Sequence, residues 1–180
     1  MPLNYIKGDI FESNCSVLAH GCNCHNNWGA GIAVQMKKHY PEAWRTDVKD
    51  TNWGDKEKFG GITWSYTTNS TGTHSLVFNL YTQYHYGRGK QFSEVAFRSA
   101  LMRMKSALIH SQIGGSISYE GCVIGMPLIG AGLAGGNWSE IAPIIEEIFG
   151  EKTINIFAYD AHSIKKLEEL NVQFNSTTKN

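Results

Sequence analysis

Hydrophobic and polar positions along the chain switch repeatedly between the two-residue period of strands and the four-residue spacing of helices. Tyr5 to Lys7 reads as a short edge strand and Asp9 to Asn14 as a loop or turn. Ser16 to Ala19 is a small apolar strand that runs out at His20. Ile32, Met36 and Tyr40 fall four residues apart while Lys37, Lys38 and His39 stay polar, which predicts a helix, with Pro41 ending it or starting the next. Ala43 to Lys49 adds a short helical turn. Gly61 to Tyr66 and Ser75 to Tyr81 have strand composition, and the polar link Thr67 to His74 would close them into a hairpin. Phe97, Leu101, Met104 and Leu108 mark one face of a long helix starting near Gln91. Cys122 to Met126 is again a short strand. Ile141, Ile144, Ile145 and Ile148 trace a further helix, and a start at Ser139 would put Pro143 in its first turn. Thr153 to Tyr159 closes the strands and Ala161 to Leu170 the helices.

Strands alternating with helices predict an α/β domain, a central mixed β-sheet between two helical layers. With 180 residues, one domain is expected, over 1–172, followed by a flexible polar tail, 173–180. Hydrophobic residues at 42% and charged residues at 18% fit a globular core and argue against disorder. Lysines and arginines balance aspartates and glutamates at 16 each, so no basic footprint for duplex nucleic acid is present. No stretch approaches the ~20 apolar residues that span a bilayer. The start carries Lys7 and Asp9 and does not read as a signal peptide, so cytosol or nucleus is expected. Cys15, Cys22, Cys24 and Cys122 are then expected as thiols.

The 19 glycines change the picture, because they concentrate in two loops at strand ends. One runs from His20 to Ala33 (His-Gly-Cys-Asn-Cys-His-Asn-Asn-Trp-Gly-Ala-Gly-Ile-Ala) and the other from Pro127 to Trp138 (Pro-Leu-Ile-Gly-Ala-Gly-Leu-Ala-Gly-Gly-Asn-Trp). Each leads directly into a predicted helix. Backbone N–H groups at a helix N-terminus attract anions, and glycine lets phosphate oxygens reach the amides. Two such loops on one sheet suit a diphosphate; each could also be a plain strand-to-helix turn. Neither carries the Gly-x-x-x-x-Gly-Lys-Ser/Thr of an NTPase. Gly29-Ala30-Gly31 lacks the third glycine of a dinucleotide fingerprint, since Val34 stands there.

In this order, Lys7-Gly8-Asp9-Ile10, the Asn23 to Ala33 loop, the Met126 to Trp138 loop and a last strand ending in Tyr159 resemble the macrodomain family, which binds ADP-ribose. The likeness covers Tyr5 to Tyr159. Leu18-Ala-His-Gly-Cys-Asn-Cys24 with Trp28-Gly-Ala-Gly-Ile-Ala33 looks most like the branch of fungal ADP-ribose-1″-phosphate phosphatases and terminal ADP-ribose glycohydrolases. The resemblance implies a three-layer α/β/α macrodomain and a monomer whose ligand is ADP-ribose or ADP-ribose 1″-phosphate, with no cofactor and no metal. It implies that Asp9 accepts from the adenine amino group, beside Gly8 and the backbone of Ile10, and that Tyr159 lies against adenine. Asn23 would hold hydroxyls of the distal ribose. Gly29, Ala30, Gly31, Ile32 and Ala33 would line one side of the diphosphate and distal ribose, and Ile129, Gly130, Ala131, Gly132, Leu133 and Ala134 the other.

The catalytic groups depart from some branches. One hydrolase branch carries an Asp just after the first glycine loop, where this chain has Ile32-Ala33. The terminal glycohydrolases use a Lys on a central strand and an Asp after the second loop; Gln83 and Ala134 stand at those places. A lysine adduct at the anomeric carbon needs an amine that Gln83 lacks. His20 remains, matching the histidine of the fungal phosphatases. It could protonate the leaving ribose oxygen or activate water with Asn23 beside it, or be a buried anchor for the loop. No Cys-x₅-Arg cradle and no Asp-x-Asp pair is present. Loop amides would have to stabilise the phosphoryl charge, which predicts a slow enzyme. Arg88 and Lys90 could add positive charge near the 1″ end, and His85 is a second candidate acid. His20, Cys22, Cys24 and His25 are dense in zinc-type ligands, but Cys-x-Cys is tight and no distant pair completes a site. The expected activity is removal of phosphate from ADP-ribose 1″-phosphate. The alternatives are release of ADP-ribose from protein, nucleic acid or a metabolite, and binding without turnover.

Overall fold

A computed structural model describes residues 3–69, 71–110 and 117–175. Seven strands form one sheet: β1 (Asn4–Lys7), β2 (Val17–Asn23), β3 (Ile62–Thr68), β4 (His74–Gln83), β5 (Ile124–Pro127), β6 (Ile154–Ala158) and β7 (Phe174–Asn175). Their order is β3-β4-β2-β5-β6-β1-β7. All neighbours are parallel except β3 and β4, which form the expected hairpin. Asn69 shapes its turn, its Oδ1 accepting from the amides of Thr71 (3.0 Å) and Thr73 (2.8 Å).

Strand alternation sorts the apolar side chains into two layers. Val17, Ala19, Leu76, Phe78, Leu80, Ile124, Met126, Ile154 and Ile156 face one cluster. It is covered by α3 (Glu94–His110), α4 (Trp138–Ile148) and α5 (Ala161–Glu169). Leu18, Cys22, Val77, Tyr81 and Phe157 face the other, under α1 (Ile32–His39) and α2 (Pro41–Asp50). The mixed-sheet, three-layer expectation describes this architecture.

Four details differ from the sequence reading. β1 is not an edge strand, because two residues at the far end of the chain, Phe174 and Asn175, pair with Tyr5 and Ile6. The tail expected from 173 is therefore partly sheet, and 176–180 lie outside the described residues. β2 does not stop at Ala19. It continues to Asn23, since Gly21, Cys22 and Asn23 still pair with β4. α4 starts at Trp138, capped by Asn137, whose Oδ1 accepts from Ser139 N (3.2 Å). Pro143 thus falls in the second turn, where the bond it cannot donate is one to the exposed carbonyl of Ser139.

Candidate functional site

Parallel strands put their following loops at one edge of the sheet, and ligands of such sheets bind there. Along this crest, in strand order, lie the β4–α3 loop (84–93), the first glycine loop (24–31), the second glycine loop (128–137), Tyr159 after β6 and Gly8-Asp9 after β1.

At the β1–β6 end, Lys7 pairs with Ala158 and Gly8 N–H donates to the Ala158 carbonyl (3.1 Å). Asp9 and Tyr159 thus follow the ends of neighbouring strands. Asp9 Oδ1 accepts from Phe11 N (2.9 Å) and caps a 3-10 turn, Ile10–Glu12, that buries Ile10. Tyr159 is 72% exposed, so its ring is a free surface and not core.

The first glycine loop is folded by its own asparagines. Asn23 Oδ1 accepts from the amides of His25 (2.9 Å) and Asn27 (3.2 Å), and its Nδ2 donates to the Asn27 carbonyl (2.7 Å). Asn27 Oδ1 in turn accepts from Gly29 N (2.9 Å). Asn23 thus shapes the loop, and the Gly29 amide is used within it. Ala30 and Gly31 are exposed. Gly31 sits at φ 61° as the N-cap residue of α1, a conformation that favours glycine. The amides of Ile32 and Ala33 lie in the first turn of α1, which has no acidic residue there and Lys37, Lys38 and His39 in its last turn.

The second loop is seated from below. Gly130 has φ 76°, and a Cβ on it would lie 2.2 Å from the Phe92 ring. Gly136 N donates to the Gly130 carbonyl (2.7 Å). The Lys166 ammonium holds the Ala131 carbonyl, and Ala134 O accepts from Gln91 N (2.9 Å) and Phe92 N (3.1 Å). Ile129 and Ala131 are buried. Among the described residues, the amides of Gly132, Leu133 and Ala134 donate no hydrogen bond. Three consecutive N–H groups without a protein acceptor on an exposed loop are the kind of donor that anions take up. The two glycine loops meet, for a Cβ on Gly31 would be 3.4 Å from Leu133 Cδ1. The N-cap residue of α1 and the Leu133 side chain are therefore neighbours. Sequence reading had no handle on Phe92 or Lys166, which seat the second loop from remote elements.

His20 is corrected most sharply. Because β2 continues past it, its side chain follows Leu18 and Cys22 into the α1–α2 layer and is 0% exposed. Asn79 Nδ2 donates to the Ala43 carbonyl (2.8 Å) and Thr63 Oγ1 (3.0 Å), so its Oδ1 is left to accept from His20 Nε2 (2.7 Å). Burial outweighs that bond and the nearby Asp47 carboxylate, and holds the imidazole down to about 4. A neutral, enclosed ring of this kind fits the alternative of a buried anchor for the loop. Trp28 packs edge-on against it (4.8 Å), and its Nε1 donates to Asp47 Oδ2 (2.8 Å). Trp138 likewise packs behind the second loop, donating to Tyr5 Oη (3.2 Å). Burial raises the thiols of Cys22 and Cys24, the latter to about 11, so neither is a thiolate near neutral pH.

The β4–α3 loop bridges the glycine loops. Its Tyr84 carbonyl accepts from Cys24 N (3.0 Å), while Lys90 Cα lies 3.2 Å from where a Cβ on Gly135 would be. His85, Arg88 and Lys90 are exposed on it.

A seven-stranded mixed sheet between helical layers is the macrodomain class of α/β fold, and the comparisons agree. The chain is 36% identical over 149 residues to the uncharacterized 17.5 kDa protein of the tk–vs intergenic region of phage T4, covering 81% of this chain and 89% of that protein. It is 28% identical over 162 residues to the ADP-ribose 1″-phosphate phosphatase of Meyerozyma guilliermondii, covering 81% and 93%. The macrodomain of Mycobacterium tuberculosis DarG superposes with a TM-score of 0.68 at 18% identity, over 88% of this chain and 98% of that one. No family model matches the sequence. The chain belongs to the macrodomain family.

Proposed function

We propose that the chain binds ADP-ribose along the crest and hydrolyses ADP-ribose 1″-phosphate to ADP-ribose and inorganic phosphate. The observation that carries this reading is that the amides at 132–134 have no protein acceptor and that the Leu133 side chain in this loop lies against Gly31, the N-cap residue of α1. That arrangement fits a diphosphate, with adenine between Asp9 and Tyr159. The fungal relative named for this phosphatase supports the activity.

Strand order then directs the distal ribose toward the β4–α3 loop. The exposed His85, rather than the enclosed His20, is the imidazole able to protonate the leaving ribose oxygen as water attacks phosphorus. Arg88 and Lys90 would offset charge on the phosphoryl oxygens, with no built cradle around them, consistent with slow turnover.

The test is release of phosphate and ADP-ribose, followed together, from ADP-ribose 1″-phosphate. Equal yields are expected. His85→Ala should lower kcat on the order of 10²-fold while ADP-ribose affinity holds. Tight ADP-ribose binding without phosphate release would remove the phosphatase reading and leave a reader, or a hydrolase with another leaving group.

A further inference from the structure

Beside the crest lies a cluster of rings of which the proposed reaction uses His85 alone. The His25 ring is packed parallel to His85, with centroids 4.8 Å apart and planes at 19°. Trp53 stands edge-on to His25 at 4.7 Å and 82°, and Tyr86 at 6.0 Å and 72°. Backbone and side-chain bonds fix the frame. His25 Nδ1 bonds the Tyr84 carbonyl (2.8 Å), Gly54 N donates to the Cys24 carbonyl (2.8 Å), and Tyr84 Oη donates to the Gly54 carbonyl (2.6 Å). The segment bearing Trp53 is thus bound to the first glycine loop.

Although the frame is rigid, its rings are open. Trp53 is 71% exposed and Tyr86 51%. Leaving an indole in water forgoes the burial that most tryptophans gain, so this one is available to a partner. Arg88 and Lys90 follow Tyr86 on a strongly exposed stretch whose Gly87 and Gly89 have φ of 107° and 89°. Asp55, two residues after Trp53, accepts from Glu57 N (2.8 Å). Lys56 and Glu57 beside it offset one another.

From this juxtaposition we infer that Trp53, Tyr86 and His85, flanked by Arg88 and Lys90, form a binding surface for single-stranded nucleic acid. Every nucleobase offers a flat π face to such rings, and the two cations match the backbone phosphates. A sugar would also stack on Trp53, but the charged groups beside Tyr86, Arg88 and Lys90, are cations that suit phosphates. The cluster suits one or two bases. Its neutral overall charge sets the chain apart from duplex binders, which need an extended basic face. The inference shares His85, Arg88 and Lys90 with the proposed reaction, while Trp53 and Tyr86 belong to it alone.

Fluorescence anisotropy of a labelled oligothymidylate, titrated with the full chain at low salt, tests it. Binding is expected to quench tryptophan emission. Trp53→Ala and Tyr86→Ala should each weaken it at least fivefold. Arg88→Ala and Lys90→Ala should each reduce the slope of log affinity against log salt by about 0.7. ADP-ribose affinity, measured by calorimetry, should be unchanged in Trp53→Ala and Tyr86→Ala. No binding at millimolar protein, or binding untouched by Trp53→Ala, overturns the inference. So does an oligonucleotide that ADP-ribose displaces and Tyr159→Ala releases, since its base would then occupy the crest. Binding of an unstructured peptide but not the oligonucleotide would assign the surface to protein and also overturn it. Loss of ADP-ribose binding with the oligonucleotide still bound would instead count against the proposed function alone.

Discussion

His20 connects one side chain to the behaviour of the whole chain in acid. Its imidazole is held neutral, near 4 against an ordinary 6.5, chiefly by burial. Between those values the unfolded chain binds a proton that the folded chain refuses, so stability must rise with pH there and fall on acidification. Full stability is present above about 6.5 and is progressively lost down to about 4. Urea unfolding at pH 7.5 and pH 5.5 should differ by about 1 kcal/mol from this group. His20→Gln, which keeps a donor for Asn79, should lose most of that difference. An unchanged pH slope in the variant would mean that the ring is hydrated in solution. The sequence made His20 visible as a residue but hid its direction. One parity decides it: if β2 ended at Ala19 the ring could turn to the crest, whereas pairing of Cys22 with Tyr81 carries the alternation on and turns it inward. That pairing is a long-range fact that no local pattern holds. His85 reads the other way, as a loop residue of weak promise that the topology carries to the distal end of the crest.

At the scale of elements, the helices and most strands were legible because their apolar spacing is regular, and both glycine loops because composition alone marks them. What eluded the pattern was short or remote: β7 has only two residues, and the supports of the second loop come from Phe92 and Lys166. Those supports separate glycines that build the loop from glycines that face a ligand. A Cβ on Gly130 would strike the Phe92 ring at 2.2 Å and add strain at φ 76°. Gly130→Ala should therefore destabilise the fold by about 2 kcal/mol or more. A Cβ on Gly132 would meet nothing within 4 Å. Gly132→Ala should leave the melting temperature almost unchanged and weaken ADP-ribose binding, because the added methyl enters the space in front of the free amides. Calorimetry with thermal unfolding of both variants checks the pair. Equal loss of stability in the two would show that the loop does not rest on Phe92.

The whole molecule is tied to its site through one buried carboxylate. Asp47 on α2 is 0% exposed and accepts from Tyr81 Oη (2.6 Å), Trp28 Nε1 (2.8 Å), Thr51 Oγ1 (3.1 Å) and the Lys58 ammonium (3.4 Å). It therefore joins the helical layer, β4 and the first glycine loop in one network. Lys58 is itself buried and leans on Thr51 Oγ1 (2.8 Å) and Asn26 Oδ1 (3.2 Å). Removing either partner of such a pair is not symmetrical. Asp47→Ala leaves an ammonium, an indole N–H and a phenol without their acceptor, and should cost about 3–5 kcal/mol. Lys58→Met leaves Asp47 with three donors and should cost less than half as much. The double variant should recover part of the Asp47→Ala loss, since the unpaired cation is then gone. Because Trp28 is the strut beneath the first glycine loop, Asp47→Ala should also weaken ADP-ribose binding at temperatures where the variant is folded. Lys58→Met, which leaves the Trp28 bond intact, should bind nearly as the parent does. Urea unfolding and calorimetry on the three variants measure both effects. Parental affinity in folded Asp47→Ala would show that the crest keeps its shape without the core beneath it.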